Sequence, residues 1–269
     1  MYDMEYLILG EQPSFQQQVF KLQVQGEEAF LKRIISDYSW WTFDQCDIYL
    51  REKTSHGIMS TLTSIHLLLY ADDNKREFVT KALPRPDFTP AHATGFIHAA
   101  LDVLAAMRRQ QDTSLDRLTL SELAISYSQK AMQASVSSHL VNEVCNLLER
   151  WERSFGSTTC YVHGDLHLGN LLEQDGVLYP FDYEEAIQSL PALDSANLSA
   201  GVYAAYGDEG YQYFRQQHQQ RFDEDLIERR DWQRFCHLRN WIASCYLRRC
   251  CDVTTAELAK AFIVDEEPQ

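Results

Sequence analysis

Several features that define other protein classes are missing from this 269-residue sequence. Its longest apolar runs, such as residues 67–71, are far too short to span a bilayer, so we predict no membrane segment. The seven cysteines include no C-x-x-C pair, which argues against a zinc site and a disulfide framework. Residues 1–5 are acidic and lack the basic-then-apolar order of a signal peptide. We therefore expect a cytoplasmic protein with reduced thiols.

Positive charge is also scarce. Lysine and arginine number 24 against 39 aspartates and glutamates, which gives a formal net charge of −15. This charge opposes binding to nucleic acid or an anionic membrane and is compatible with a cationic small molecule, although solubility alone would explain it. An apolar fraction of 45% with 12% aromatic residues is typical of a globular protein that buries a core.

The most informative stretch is residues 161–183, where polar side chains recur at regular offsets. Asp165 is followed five residues later by Asn170, and Asp182 comes twelve residues after that. The residues between Asn170 and Asp182 predict two short strands joined by a turn at residues 174–176. Such a hairpin would bring Asn170 and Asp182 back to the same end.

These residue types suit phosphoryl transfer. A hydroxyl that attacks the γ-phosphate of ATP needs a carboxylate to orient it and accept its proton, and Asp165 fits this role. The triphosphate needs hard oxygen ligands for Mg²⁺, which Asn170 and Asp182 can supply.

The stretch resembles the aminoglycoside phosphotransferase and choline kinase family, whose hallmark is H-G-D-L-H-x-x-N followed by a hydrophobic residue, Asp and Phe or Tyr. Here these are residues 163–170 and 181–183. A weaker match follows at Asp194, where the family pattern Asp-Pro-x-x-Asp begins with Leu190 instead of Asp. We predict that Asp194 caps or braces the loop. His163, His167, Gly164 and Gly169 are predicted to be scaffold, with the two histidines buried.

The resemblance implies an ATP-dependent and Mg²⁺-requiring kinase that phosphorylates a hydroxyl of a small molecule. It also implies an α+β, two-lobed protein-kinase-like fold. The small N-lobe, residues 1–83, would hold an antiparallel sheet and one helix, and the larger and mainly helical C-lobe, residues 84–269, would hold the catalytic loop and the acceptor. We expect a monomer or weak dimer. A protein serine/threonine kinase on the same fold and a nucleotide-binding pseudokinase that acts as an interaction protein remain as alternatives.

The N-terminal third fits this expectation. Three strands are predicted over residues 6–32, and in the third the period of two puts Phe30 and Lys32 on one face and Ala29 and Leu31 on the other. In the resembled family such a lysine neutralises the α- and β-phosphates, whereas an ordinary strand lysine would reach solvent. In the resembled family the first turn contacts the ATP phosphates, which here would be residues 14–16, although this turn has Gly10 and departs from the glycine-rich pattern.

The lysine needs a carboxylate partner, which the predicted helix over residues 42–63 can supply. We assign this role to Glu52, with Asp44 and Asp47 as alternatives. The next predicted hairpin ends in the segment Lys81, Ala82 and Leu83, which by resemblance would bind adenine through backbone groups. Prolines at positions 84, 86 and 90 stop the strand and mark the predicted lobe boundary.

Helical periodicity follows the prolines, and we predict helices over residues 91–111, 135–155, 203–214, 225–231 and 232–250. Acidic residues are dense near residues 184–185, 208–209, 223–225 and 265–267. They favour a cationic acceptor, although acidic residues at helix starts are routinely solvated.

Overall fold

The structure is a computed structural model that describes residues 6–13, 17–35, 37, 46–111 and 114–250. For residues 6–13 it describes the backbone. The phosphate contacts expected for residues 14–16, the alternative partner Asp44 and the acidic residues 265–267 lie outside the described residues.

The small lobe is a five-stranded antiparallel sheet whose strands lie side by side in the order β1-β2-β3-β5-β4. Its strands are β1 (Tyr6–Pro13), β2 (Gln17–Val24), β3 (Glu27–Ile34), β4 (Leu68–Asp72) and β5 (Glu77–Lys81). As the alternation predicts, Ala29 and Leu31 of β3 are buried against Leu22 of β2. Phe30 and Lys32 face the other way, because successive side chains of a strand point to opposite faces.

Helix α1 (Ile48–Thr63) joins β3 to β4. It begins later than predicted, because the Asp47 side chain accepts a hydrogen bond from the Leu50 N–H at 3.0 Å and caps the first turn. Its buried face carries Glu52 and Met59. Glu52 therefore lies in the second turn of the helix.

The large lobe is mainly helical, as predicted, with two small antiparallel sheets. Its helices are α2 (Ala93–Arg108), α3 (Leu120–Ala134), α4 (Ser138–Phe155), α5 (Ala192–Phe222) and α6 (Arg229–Cys250). Its strands are β6 (Cys160–Val162), β7 (Leu171–Gln174), β8 (Val177–Pro180) and β9 (Ile187–Ser189), with β6 paired to β9 and β7 to β8. The predicted strand–turn–strand hairpin is therefore present as β7 and β8.

The helices of the large lobe differ from the prediction in three places. Helix α3 was not predicted, although Thr119 and Glu122 form a capping box at its start. Helix α5 begins at Ala192, eleven residues before the predicted position, and its regular geometry breaks at Gly207, which has φ 67°. Residues 225–228 precede α6 instead of forming a helix.

One hydrophobic cluster joins the lobes, and another fills the large lobe. The first contains Met59 and Leu67 of the small lobe together with Leu104 and Tyr183 of the large lobe. The second is centred on aromatic side chains such as Trp151 and Phe235. The joint cluster holds the sheet against the helices, while the exact lobe boundary at residues 83 and 84 stays a prediction. Within the described ranges, every helix is too short or too polar to cross a membrane.

Candidate active site

A cleft of about 500 Å³ lies where the sheet meets the large lobe, within the range of small-ligand pockets. Its lining comes from β2, β3, α1, β5, the segment after β5, β7 and the end of the β7–β8 hairpin. The lining residues are Gln17, Val19, Phe30, Lys32, Glu52, His56, Leu67, Phe78, Thr80, Lys81, Leu83, Arg85, Leu172, Phe181 and Asp182. Five residues that the sequence predicted for nucleotide or metal binding therefore share one cleft, namely Lys32, Glu52, Lys81, Leu83 and Asp182, whereas Ala82 and Asn170 are not among its lining residues.

Lys32 lies among three carboxylates, and we call these four residues the Lys32 cluster. Its Nζ contacts Glu52 Oε1 and Asp182 Oδ1 and lies 3.0 Å from Glu184 Oε1. The predicted pair of Lys32 and Glu52 is therefore present, and the β7–β8 hairpin adds Asp182 to it. Glu52 is 1% exposed and Asp182 31%, so the cluster is closed on the helix side and opens toward the cleft.

The cluster shifts the pKa of each member. Burial lowers the pKa of Lys32, but the attraction of Asp182, Glu184 and Glu52 more than offsets this and raises it well above its ordinary value. Burial raises the pKa of Glu52, and that of Glu184 to about 8. For Asp182, burial also acts upward, but Lys32 outweighs it and the net pKa is lowered. Asp182 is therefore the carboxylate that most readily stays ionised beside the lysine.

The loop of residues 163–170 presents Asp165 with its side chain 49% exposed. Asn170 Nδ2 donates to the backbone oxygen of Asp165 at 3.0 Å and to its Oδ2 at 3.2 Å. Asn197 of α5 donates to the other carboxylate oxygen, Oδ1, at 3.4 Å. Two amides thus hold the carboxylate from either side while it stays open to solvent.

Asp194 of α5 braces this loop through two backbone hydrogen bonds, in agreement with the role predicted for it. Its Oδ2 accepts the His163 N–H at 2.7 Å and its Oδ1 accepts the Gly164 N–H at 3.1 Å. Burial raises the pKa of the Asp194 carboxyl to about 7, although the two N–H groups act in the opposite direction. The residue is 2% exposed and is therefore available only to the protein.

His163 connects the loop to the segment after β8 that carries Asp182. Its Nε2 lies 2.9 Å from the Phe181 carbonyl oxygen, and its Nδ1 accepts the Asp165 N–H at 3.3 Å. Both bonds are made at once by a neutral ring protonated on Nε2, and burial lowers the pKa of this histidine accordingly. The predicted scaffold role of His163 thus agrees with its contacts.

His167 differs from the prediction, because its side chain is 44% exposed instead of buried. Its Nδ1 accepts the Gly169 N–H at 2.9 Å, and its Nε2 lies 3.5 Å from Asp165 Oδ2, an interaction that raises the pKa of His167. A Cβ on Gly169 would come within 2.5 Å of the imidazole, so a side chain there would displace the His167 ring from its present position. Gly164 supplies a positive φ of 83° in the same loop.

The β7–β8 hairpin returns the chain as expected. Asp175 and Gly176 turn it with φ angles of 54° and 78°, both positive as in a type I′ turn. The Phe181 N–H then bonds to the Asn170 carbonyl oxygen at 3.1 Å, so Asn170 and Asp182 lie at the same end. Asp182 itself has φ 69°, a strained conformation for a residue with a side chain.

The segment of residues 81–83 has fewer free backbone N–H groups for a ligand than the sequence suggested, because two of them bond to the protein. The Lys81 N–H bonds to the Leu67 carbonyl at 2.9 Å, and the Ala82 N–H bonds to the Glu28 carbonyl at 3.1 Å. Leu83 lines the cleft, and its N–H has no protein partner among the described residues. Adenine recognition through this segment would therefore rest on Leu83.

Three carboxylates in the site could hold a metal ion. One oxygen each of Glu52, Asp182 and Glu184 lies within 4.8 Å of the others. Asn170 uses its amide nitrogen on Asp165, which leaves its Oδ1 for another ligand. Carboxylate and amide oxygens are ligands that suit Mg²⁺, so the donor set fits the predicted metal.

Sequence reasoning missed Glu184 and Asn197 as site residues. Glu184 directly follows the recognised motif, two positions after Asp182, and was counted only as part of an acidic stretch. Asn197 lies one helical turn after Asp194 and so faces the same loop, a spacing that could have identified it. Asp47, an alternative partner for Lys32, instead caps α1 and lies 3.3 Å from Arg76.

The acidic residues that favoured a cationic acceptor mostly have protein partners. Glu184 lies against Lys32, Glu224 pairs with Arg108, and Asp225 lies 3.8 Å from Arg215. Asp208 and Glu209 are exposed beside the break in α5. The electrostatic argument for a cationic acceptor is accordingly weaker than the sequence alone suggested.

Helix α1 is tied to the large lobe through Arg51, the residue before Glu52. Its Nη1 lies 3.4 Å from the Glu184 carbonyl oxygen, and its Nη2 lies 3.2 Å from Asp116 Oδ2. The side chain is only 8% exposed. Glu52 is thus carried on a helix whose position depends on the large lobe.

The sequence matches no protein-family model and no curated protein. Solved structures do match, at low identity. The choline kinase LicA from Streptococcus pneumoniae has a TM-score of 0.66 and 15% identity, covering 96% of this chain and 90% of that one. The macrolide 2'-phosphotransferase MphH from Brachybacterium faecium has a TM-score of 0.62 and 13% identity, with coverages of 98% and 93%.

A third match is a thermostable mutant of the aminoglycoside phosphotransferase APH(4)-Ia, with a TM-score of 0.61, 14% identity and coverages of 97% and 96%. LicA has also been solved with AMP, and an APH(4)-Ia mutant with ADP and hygromycin B. The predicted fold is therefore confirmed: this chain has the protein-kinase-like fold of choline kinases and of aminoglycoside and macrolide phosphotransferases.

Proposed function

We propose that this protein is an ATP-dependent kinase that transfers the γ-phosphate to a hydroxyl group of a small molecule. The observation that carries the proposal is the Lys32 cluster in the cleft beside the loop of Asp165 and Asn170. A lysine paired with a helix carboxylate, next to a base and two oxygen ligands, is the arrangement that phosphoryl transfer uses. The fold shared with phosphotransferases supports the proposal.

Each residue then has a chemical task. Lys32 contacts the phosphates of the nucleotide, and Glu52 keeps its ammonium group in position. Asp165 orients the acceptor hydroxyl and accepts its proton, for which its exposed and ionisable carboxylate is suited. Asn170 and Asp182 would hold Mg²⁺, with Glu184 close enough to add a third oxygen, and the ion would neutralise charge on the phosphates.

The backbone scaffold supports this division of tasks. Asp194 and His163 fix the loop that carries Asp165, and His163 also bonds to the residue before Asp182. A base and a metal ligand that share one histidine keep a constant separation, as in-line transfer requires. Adenine would meet the Leu83 N–H.

The test is ATP consumption by the full chain with Mg²⁺ and a panel of hydroxyl compounds, some aminated and some neutral, at low and high salt. We expect turnover with at least one small molecule and none with Asp165→Asn above a small residual rate. Transfer to a protein substrate and to none of the small molecules would favour a protein kinase. Nucleotide binding without transfer to either class would favour the pseudokinase alternative.

A further inference from the structure

Arg85 is a charged residue of the cleft to which the proposed mechanism gives no task. It follows Pro84 after β5 and lines the same cleft as Lys32 and Asp182. Its guanidinium carbon lies 4.7 Å from the centre of the Phe181 ring, and its Nη1 lies 3.5 Å from the Leu171 carbonyl oxygen. Among the residues that the structure describes, no carboxylate lies within 4.0 Å of it.

The other charges of the cleft show what Arg85 can add. Lys32 is already paired with three carboxylates, so it brings no unbalanced positive charge to the cleft. His56 is neutral, because burial lowers its pKa to about 3. A nucleotide phosphate chain that enters this cleft therefore meets a lysine whose charge is already balanced, whereas Arg85 offers a cation with no carboxylate within 4.0 Å among the described residues.

The position of Arg85 is suited to an oxygen-rich anion. A guanidinium has five N–H donors and no acceptor, and only one of the five has a protein oxygen near it here. Stacking on Phe181 holds the planar group before a ligand arrives, which reduces the entropy lost on binding. The charge of Arg85 also acts on His167, so the group lies close to the loop where transfer is proposed to occur.

We propose that Arg85 is a nucleotide-binding residue that donates to the anionic phosphate chain of ATP. It acts from the segment after β5, whereas Lys32 acts from β3. The inference rests on the proposed function and deepens it, because it assigns a second cation to the nucleotide. An anionic acceptor is the competing ligand for the same chemistry, and the experiment separates the two.

The experiment compares the full-length wild type with Arg85→Gln and Arg85→Lys by calorimetry with ATP, ADP and adenosine. Arg109→Gln is the matched control, because Arg109 is exposed at the end of α2 and its loss changes the net charge equally. We expect Arg85→Gln to lower the affinity for ADP and ATP about tenfold, because a charge-assisted hydrogen bond usually contributes this much. The affinity for adenosine, which has no phosphate, should not change. Arg85→Lys should lie between, since it keeps the charge without the planar fork.

A second measurement repeats the titrations at high ionic strength, where the loss of nucleotide affinity caused by Arg85→Gln should be smaller. Equal ADP dissociation constants for wild type and Arg85→Gln would overturn the proposal. So would an equal loss for adenosine, which would mean that Arg85 shapes the cleft, or a raised KM for the acceptor with unchanged nucleotide binding. A wild type that binds no nucleotide would instead overturn the proposed function, and with it this inference.

Discussion

The Lys32 cluster and the loop that carries Asp165 lie in the same cleft but differ in how their side chains are held. In the cluster, one ammonium is surrounded by three carboxylates, and Glu52 is almost fully buried. In the loop, Asp165 is half exposed, and its carboxylate accepts hydrogen bonds from the side-chain amides of Asn170 and Asn197. Charge maintains the first region, and hydrogen bonds of the scaffold maintain the second.

Because of this difference, mutations in the two regions should differ in their effects on stability and on turnover. A buried ion pair that loses one partner leaves an uncompensated charge, so changes in the cluster should cost folding free energy. The carboxylate of Asp165 is solvated and has no ion pair with lysine or arginine among the described residues, so a change there should leave folding nearly intact. Mutations in the two regions should therefore affect different measurements.

The largest expected effect is the loss of turnover in Asp165→Asn. The amide cannot accept the proton of the hydroxyl, so turnover should fall by about 10²–10⁴-fold, the usual contribution of a positioned base. Melting temperature and nucleotide affinity should stay close to wild type, and the measurements are steady-state rates and calorimetry. Wild-type turnover in this variant would remove Asp165 from the mechanism.

Lys32→Met should produce the largest loss of stability. Removing the ammonium leaves Glu52, Asp182 and Glu184 facing one another, and the free energy of unfolding should fall by about 3–5 kcal/mol. The measurement is urea denaturation of the nucleotide-free protein. Lys21→Met is the control, because Lys21 lies on the neighbouring strand with its side chain 43% exposed.

A small effect of Lys32→Met, similar to that of Lys21→Met, would break the comparison between the two regions. It would mean that the cluster carboxylates take up protons without cost when the lysine is absent.

Asp194→Ala should destabilise the loop side of the cleft by about 2–4 kcal/mol, because it leaves the buried N–H groups of His163 and Gly164 without acceptors. The same denaturation experiment measures it. Asp208→Ala on the exposed part of α5 is the matched control. Unaltered unfolding of Asp194→Ala would contradict the bracing role.

The sequence predicted those parts of the site whose spacing is local. Asn170 and Asp182 meet because a two-residue turn joins short strands, and Lys32 faces the cleft because strand side chains alternate. Glu184 was missed because its partner Lys32 comes from β3. Asn197 was missed because its spacing from Asp194 is informative only when both residues are known to lie in α5, whose start was not predicted. The start of α5 was missed because its first turns carry the buried Asp194 segment, which has little helical periodicity of its own.

The smallest expected effect concerns pH. His218 is fully buried, 3.1 Å from the Ser195 hydroxyl beside Asp194, and burial followed by Arg108 lowers its pKa to about 4. The His218 side chain takes up a proton near pH 6.5 in the unfolded chain but not in the folded one. The contribution of His218 to the free energy of unfolding is therefore complete above pH 6.5 and is lost as pH falls toward 4.

Between pH 7 and pH 5 the loss should be on the order of 1–2 kcal/mol. The measurement is denaturation of wild type and His218→Gln at both pH values, because glutamine cannot titrate. The stability difference between the two proteins should narrow by this amount at pH 5. His56 and His163 also have lowered pKa values, but they act equally in both proteins. A constant difference would mean that His218 does not couple folding to pH.

The two contacts of Arg51 with the large lobe have a consequence for regulation. Many protein kinases are switched off when the helix that carries the glutamate is displaced from the lysine. Here that displacement would have to break the contacts of Arg51 with the Glu184 carbonyl and with Asp116, in addition to the ion pair itself. We therefore expect the pair of Lys32 and Glu52 to stay assembled without an activating signal, so that the proposed kinase would be limited by the supply of its substrates.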